Sequence, residues 1–263
     1  MNTTNIEPIQ RAALAIREAR ATGKAIPQVS QTFGLSSVEE AYLVAELNVQ
    51  ARLAEGHRIV GKKVGLTSPA VQKQLGVDQP DFGVLFEDME YLSGADIPMS
   101  RLIQPKVEAE VAFVMATNLG PSAPTWAEFL KAVAYALPAL EVVDSAIADW
   151  KITFFDTVAD NASSALYVLG DQPVSVGSLQ LADLKMTMRR GDTVVSEGMG
   201  SACLGHPLRA AWWLARTMAE RGQPIRAGEV VMSGALGPMV ATARGDRIVA
   251  EMGALGSVAC QFV

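Results

Sequence analysis

Apolar residues near the start of the chain recur every three or four positions. A polar run that ends at Gly23 follows them, and this pattern predicts one amphipathic helix. The apolar positions of this helix are Ile9, Ala12, Ala13 and Ile16.

A second helix has start and stop signals in the sequence. Ser36 or Ser37 can cap it, Glu39 and Glu40 are capping-box partners, and Gly56 ends it. Its predicted apolar face consists of Ala41, Leu43, Val44, Leu47 and Val49.

Strand patterns dominate after residue 57. A strand with two glycines is predicted over 58–66, and Gly, Asp and Pro residues predict an ordered loop over 76–83. Two further helices are expected, one capped by Thr125 with Glu128 and one running from Pro207 to Gly222. A hairpin is predicted around 190–192, and the remaining strands near 106–115, 138–144, 229–232, 247–252 and 258–263.

This order of elements indicates an α+β fold rather than regular βαβ alternation. We expect a helical N-terminal region over 1–57 and a β-rich catalytic body with inserted helices over 58–263. The boundary lies between residues 57 and 100, and the two parts can also count as one domain.

Composition excludes several classes of protein. The chain of 263 residues carries a formal net charge of −6, which argues against nucleic acid and anionic membranes as partners. Its two cysteines, Cys203 and Cys260, cannot form a disulfide framework or a four-thiolate zinc site. No signal-peptide pattern and no apolar run of about 18 residues is present, so we expect a cytoplasmic protein.

Carboxylates interrupt two of the predicted strands. In the first, Glu108 and Glu110 fall on one face together with Lys106. In the second, Glu141 interrupts an apolar run, and a buried carboxylate is costly unless it is paired or bound to metal. An all-oxygen cluster suits Mg²⁺ or Mn²⁺ rather than zinc. The alternative is that the Glu-x-Glu pair lies on a solvated sheet face, and the pattern alone leaves both possibilities open.

Two polar or glycine-rich segments are further candidates. The cluster Asp160, Asn161 and Ser163 is either a helix cap or a loop that hydrogen-bonds a substrate carboxylate. The segment SGALGPM (233–239) permits close approach of the backbone to a ligand.

Taken together, these segments resemble a known family. Glu108-Ala-Glu110 and Glu141 in ALEVVDS resemble the metal site of the fumarylacetoacetate-hydrolase-like superfamily. The chain as a whole is similar to its 2-hydroxypenta-2,4-dienoate hydratases, also called 2-keto-4-pentenoate hydratases. The segments that carry this closer resemblance are GKKVGLTS (61–68), LGVDQPDFG (75–83), DTVADNAS (156–163) and SGALGPM (233–239).

The resemblance implies a mixed β-roll body and a metal-dependent hydro-lyase of aromatic meta-cleavage catabolism. Such an enzyme adds water to 2-hydroxypenta-2,4-dienoate and gives 4-hydroxy-2-oxopentanoate. The implied metal ligands are Glu108, Glu110 and Glu141, and the implied catalytic residues are Lys63 and Asp81. The implied substrate-binding residues are Ser163, Asn161, Asp160, Ser233, Gly234 and Leu236. Many relatives have Thr where Ser233 stands, which keeps the hydroxyl.

We expect the pKa of Lys63 to fall beside a dication. The order of proton transfers between Lys63 and Asp81 stays open, as does the copy number of the expected homo-oligomer, which could associate with a neighbouring pathway enzyme.

Two alternatives remain, a 2-oxo-3-enedioate (4-oxalocrotonate) decarboxylase and a non-catalytic scaffold relative. A dicarboxylate substrate would need a further cation, for which Arg58, Lys73 and Arg209 are candidates.

Overall fold

The computed structural model describes residues 6–68, 72–73 and 77–263. The helices discussed here are α1 (Ile6–Thr22), α2 (Val29–Phe33), α3 (Val38–Ala54), α4 (Trp126–Ala132), α5 (Phe154–Ala159) and α6 (Pro207–Glu220). The strands are β1 (Ile59–Gly65), β2 (Asp81–Phe86), β3 (Glu90–Leu92), β4 (Ala95–Ile97), β5 (Pro105–Met115), β6 (Val133–Asp144), β7 (Ser164–Leu169), β8 (Lys185–Arg190), β9 (Thr193–Met199), β10 (Val230–Ala235), β11 (Val240–Ala241), β12 (Arg247–Glu251) and β13 (Ser257–Phe262). No helix among these residues is both long and apolar enough to cross a bilayer.

The N-terminal helices form a small core of their own. The apolar stripe predicted for α1 is buried, and it packs with Val29, Ala41 and Val44 from α2 and α3. Both serines act at the start of α3: Ser37 Oγ accepts from the Glu40 amide, and the Glu40 carboxylate accepts from the Ser36 amide. Helix α5, which lies within the β-rich part of the chain, completes this core through Val158 and Ala159.

The larger of the two sheets formed by the described residues carries most of the candidate site. Its strand order is β2-β1-β10-β5-β6-β7-β3, with β11 paired to β5. Strands β5 and β6 pair antiparallel over most of their length at the centre of this sheet, and their side chains are largely buried. A charged side chain on this part of the sheet is therefore withdrawn from water.

A second sheet has the order β4-β13-β12-β8-β9. Its β8–β9 pair forms the hairpin predicted around residues 190–192. The predicted capping box of Thr125 and Glu128 begins α4, and α6 begins at Pro207 with His206 as its cap. The α+β fold class expected from the sequence is confirmed, whereas the division at residues 57 and 58 stays a prediction.

Several boundaries differ from the sequence prediction. The segment expected as a loop over 76–83 already enters β2 at Asp81, because its last residues pair with β1. Residue 76 of that segment lies outside the described part of the chain. Strand β6 begins at Val133, five residues before the predicted start. Leu43, expected on the apolar face of α3, is exposed.

Candidate metal centre and active-site pocket

Strand register brings the three predicted carboxylates together. Glu108 on β5 lies directly opposite Glu141 on β6, and Glu110 follows two residues along the same face of β5. Opposite positions on antiparallel strands place their Cβ atoms about 5 Å apart. One ligand oxygen from each of the three side chains lies within 4.8 Å of the other two.

Two of the three carboxylates are buried and poorly satisfied, whereas Glu108 is partly exposed. Glu110 and Glu141 are 0% exposed, and Glu110 Oε1 and both Glu141 oxygens have no hydrogen-bond partner. Glu110 Oε2 accepts a hydrogen bond of 2.8 Å from the Gly234 amide. Burial, reinforced by the charge of Glu141, raises the pKa of Glu108 to about 7. The pKa of Glu110 is also raised, by burial first and then by Glu141 and Glu108.

These features fit a divalent cation. Buried carboxylate oxygens without partners are costly, and a hard cation that prefers oxygen ligands would satisfy them and cancel their repulsion. A second group has spacing suitable for a metal ion but no buried carboxylate: His57, Glu87 and Asp88. It is partly exposed, and its carboxylate of Asp88 is already paired with Arg52 and Arg101.

Lys63 is buried beside this cluster. Its Nζ lies 3.2 Å from Glu141 Oε1, and its side chain is 4% exposed. Burial lowers the pKa of Lys63, but the carboxylates of Glu141, Asp81, Glu108 and Glu110 together outweigh burial and raise the pKa above its ordinary value. The fall in the pKa of Lys63 expected beside a dication stays a prediction, because the four carboxylates act on this ammonium group here without the charge of a cation.

Asp81 faces Lys63 across a glycine. A Cβ on Gly65 would overlap Asp81 Oδ1 and lie 3.3 Å from Lys63 Nζ. Asp81 Oδ1 is buried without a hydrogen-bond partner, while Oδ2 accepts from the Thr157 hydroxyl at 3.4 Å. Burial raises the pKa of Asp81, and the charge of Lys63 opposes that shift.

A cavity of about 830 Å³ opens onto these groups. Lys63, Asp81 and Glu108 line this cavity, together with Thr157 and Ser163. The apolar wall is formed by Leu66, Val143, Trp150, Ile152, Met199, Leu236, Pro238 and Met239. The cavity thus combines charged groups suited to catalysis with an apolar surface suited to a short carbon chain.

Asp160 and Asn161 use their side chains within the protein. The Asp160 carboxylate accepts from Arg20 and from the Ala146 amide, both at 2.8 Å. The Asn161 amide group both accepts from and donates to the backbone of Val84 on β2. Neither side chain lines the cavity, so substrate contact through them is not supported. Their placement instead fixes the turn that precedes Ser163.

That turn has strained backbone geometry. Asn161, Ala162 and Ser163 have positive φ angles of 58°, 52° and 52°. The left-handed region is unfavourable for residues with a side chain, and such strain is concentrated at functional sites. Ala162 and Ser163 line the cavity, and the buried Ser163 hydroxyl has no hydrogen-bond partner. Among the polar residues of the segment 160–163, Ser163 is therefore the one whose side chain is placed for ligand contact.

The first residues of the glycine-rich segment 233–239 contact strand β5, which carries two of the three carboxylates. The buried Ser233 hydroxyl accepts from the Val111 amide at 3.1 Å, and Gly234 holds Glu110. Gly234 has φ of +87°, and a Cβ there would overlap the side chain of Thr67. Leu236 does line the cavity. Ser233 and Gly234 thus act behind the pocket wall, whereas Leu236 contributes to it.

Two lysines of the cavity were not singled out from the sequence. Lys106 and Lys151 line it, whereas Arg58, Lys73 and Arg209 do not. The signal for Lys106 was present, because this residue shares a strand face with Glu108. The signal for Lys151 was absent, because only the tertiary fold brings its loop to the cavity.

The carboxylate cluster, the Lys63–Asp81 pair and the adjoining cavity define an enzyme-type site in which a divalent cation and acid–base groups can act on one small molecule. The chain belongs to the fumarylacetoacetate hydrolase family, since the family model for the C-terminal part of fumarylacetoacetate hydrolase matches residues 58–263.

Curated relatives match nearly the whole chain. 2-Keto-4-pentenoate hydratase 1 of Dechloromonas aromatica (strain RCB) is 48% identical over 262 residues, which cover 100% of each chain. 2-Keto-4-pentenoate hydratase of Paraburkholderia xenovorans (strain LB400) is 51% identical over 253 residues, which cover 96% of this chain and 94% of the relative. These relatives confirm the resemblance seen in the sequence and the enzyme class, a hydro-lyase.

A solved structure is similar over its full length. 4-Oxalocrotonate decarboxylase from Pseudomonas putida G7, in complex with magnesium and adipate, superposes with a TM-score of 0.93 at 34% identity and with 100% coverage of both chains.

Proposed function

We propose that this protein is a divalent-cation-dependent hydratase that converts 2-hydroxypenta-2,4-dienoate and water into 4-hydroxy-2-oxopentanoate. The observation that carries the proposal is the register of β5 and β6, which gathers Glu108, Glu110 and Glu141 beside Lys63. The hydratase relatives at about half identity support the substrate class.

Glu108, Glu110 and Glu141 would hold Mg²⁺ or Mn²⁺. Glu110 Oε1 has no hydrogen-bond partner and Glu141 is ion-paired with Lys63 without a hydrogen bond, which fits such an ion, and the magnesium in the decarboxylase relative supports the choice. A bound dication would supply Lewis-acid stabilisation of the negative charge that develops on the C2 oxygen of the substrate.

Lys63 and Asp81 would move the protons. Hydration of the dienoate adds a proton at C5, the hydroxyl of water at C4 and a second proton at C3, and it releases one proton from water and one from the 2-hydroxyl group. Lys63 can deliver a proton from Nζ, and the unpartnered Asp81 Oδ1 can accept one from water or from the 2-hydroxyl group. The two groups flank Gly65, so a proton donor and an acceptor face the same part of the cavity.

The remaining contacts would orient the substrate. The Ser163 hydroxyl faces the cavity without a protein partner and can hydrogen-bond the polar end of the substrate. Leu236 and its apolar neighbours would contact the carbon chain and exclude water from all positions except C4. Asp160, Asn161, Ser233 and Gly234 would act by holding this wall and Glu110 in place.

The proposal is tested by incubating the protein with Mg²⁺ and 2-hydroxypenta-2,4-dienoate and following the dienol absorbance and the product mass. We expect a gain of one water, lost when a chelator removes the metal. The magnesium- and adipate-bound decarboxylase supports a second candidate, for which 2-oxo-3-enedioate would lose CO₂. Turnover of the enedioate alone would replace the hydratase proposal, and no turnover of either compound would reject both in favour of a scaffold.

A further inference from the structure

Lys106 presents a cation to the cavity that makes no close ion pair among the described residues, although the charge of Glu108 acts on it. It lies on the same face of β5 as Glu108, two residues closer to the start of the strand, which is a separation of roughly 7 Å. Within the described residues, no carboxylate oxygen lies within 4.0 Å of Lys106 Nζ.

The other cations of the cavity are already paired. Lys63 faces Glu141 at 3.2 Å, and Lys151 Nζ lies 3.0 Å from Asp149 while three quarters of its side chain is exposed. Lys106, by contrast, is half-buried. An ammonium group that is partly withdrawn from water and has no carboxylate in direct contact is suited to bind an anion from outside the protein.

Trp150 fixes the position of this cation. Lys106 Nζ lies 4.2 Å from the centroid of the indole ring, which is a cation–π contact. The ring is locked by a hydrogen bond of 2.9 Å from Trp150 Nε1 to the Gln104 carbonyl. Asp149 and Trp150 have positive φ angles of 59° and 55°, so the turn that places the indole is itself strained.

We propose that Lys106 binds the C1 carboxylate of the substrate and that Trp150 is its positioning residue. This inference rests on the proposed function, in which the 2-oxo acid end of the substrate lies at the carboxylate cluster. Lys106 projects beside that cluster from the same strand face, whereas apolar side chains such as Ile152 and Met239 remain for the distal carbons. A substrate with one carboxylate and an apolar far end matches this arrangement.

The test is calorimetric titration of the Mg²⁺-saturated protein with two unreactive ligands, 2-oxohexanoate and 2-oxohexanedioate. They have the same chain length and differ in the distal carboxylate. Loss of one charge-assisted hydrogen bond predicts that Lys106→Met raises the Kd of both ligands about 10-fold to 100-fold. Lys106→Arg should keep most of the affinity, and Lys151→Met is the matched control, with a change of less than about twofold expected for an exposed pair.

Two results would overturn the proposal. One is unchanged affinity of Lys106→Met for 2-oxohexanoate, and the other is a loss confined to the dicarboxylate, which would place Lys106 at the distal end. Titration with Mg²⁺ alone shows whether each variant still binds the metal. A wild-type protein that binds 2-oxohexanoate through Lys106 but hydrates no dienoate would reject the hydratase proposal and leave this one standing.

Trp150 is tested in the same titration. Trp150→Leu should raise the Kd of 2-oxohexanoate. Its thermal midpoint should change no more than that of the Trp150→Phe variant. Trp150→Phe keeps an aromatic face under the ammonium and should restore most of the affinity. Equal affinity of the Leu variant and the wild type would show that the indole does not position Lys106.

Discussion

Glu110→Gln removes one negative charge from the carboxylate cluster and keeps the volume of the side chain. Glutamine fills the same volume and can still accept the hydrogen bond from the Gly234 amide, so the local backbone keeps its support. The substitution removes one of three mutually repelling carboxylates from a fully buried position. Without metal, we therefore expect the variant to be at least as stable as the wild type.

With metal, the two proteins should differ. Mg²⁺ at about 100 times its Kd stabilises the folded wild type by about 2.7 kcal/mol, which raises Tm by roughly 5–11 °C for a chain of this size. If the loss of one anionic ligand weakens binding about 100-fold, the same concentration stabilises the variant by only about 0.4 kcal/mol, or roughly 1 °C. The variant should also lose metal-dependent turnover.

The assay is thermal unfolding at several Mg²⁺ concentrations, with and without a chelator. Glu87→Gln is the matched control, because it alters the other group of possible ligands and should leave the Mg²⁺-dependent shift unchanged. A Glu110→Gln protein whose Tm rises with Mg²⁺ as much as that of the wild type would refute the ligand assignment. Loss of the shift in Glu87→Gln alone would move the metal site to His57.

Three further outcomes follow from the structure. Because burial and the neighbouring charge raise the pKa of Glu108 to about 7 from an ordinary 4.5, the metal-free folded state holds more protons than the unfolded state between these values. Its free energy of unfolding should therefore fall as pH rises through that window, and saturating Mg²⁺ should flatten the fall in urea titrations; an unchanged slope would contradict the assignment. Gly65→Ala places a methyl group against the Asp81 carboxylate and should lower kcat at least tenfold while Mg²⁺ affinity in calorimetry stays close to wild type; full activity would show that Asp81 is not needed where it stands. Arg20→Met leaves the buried Asp160 without its cation and should lower the free energy of unfolding by about 3 kcal/mol in urea, and a loss below about 1 kcal/mol would show that the pair does not hold the turn at residues 160–163.

Local chemistry made much of the fold predictable. The caps at Ser37 and Thr125 and the proline at the first position of α6, Pro207, marked helix starts correctly, because a side-chain acceptor or a ring at the first turn acts only on its own neighbours. Strand β2 was missed because its pairing with β1 is a property of the tertiary fold, and the prolines and aspartates before it are typical of a loop.

The candidate site was predictable where strand periodicity was sufficient. Two-residue spacing placed Glu108 and Glu110 on one face, but only the observed register sets Glu141 directly opposite Glu108. The ion pair of Asp160 with Arg20 joins residues 140 positions apart, so a substrate contact and a structural pair were indistinguishable in the sequence. The pKa of Lys63 depends on four carboxylates from three strands, which only the tertiary fold brings around it.

The most direct test of the central claim is a crystallographic one. Crystals grown with Mn²⁺ should show one anomalous difference peak at about 2.0–2.6 Å from oxygens of Glu108, Glu110 and Glu141. A peak at His57 and Glu87, or no peak between the three glutamates at a saturating Mn²⁺ concentration, would contradict the account.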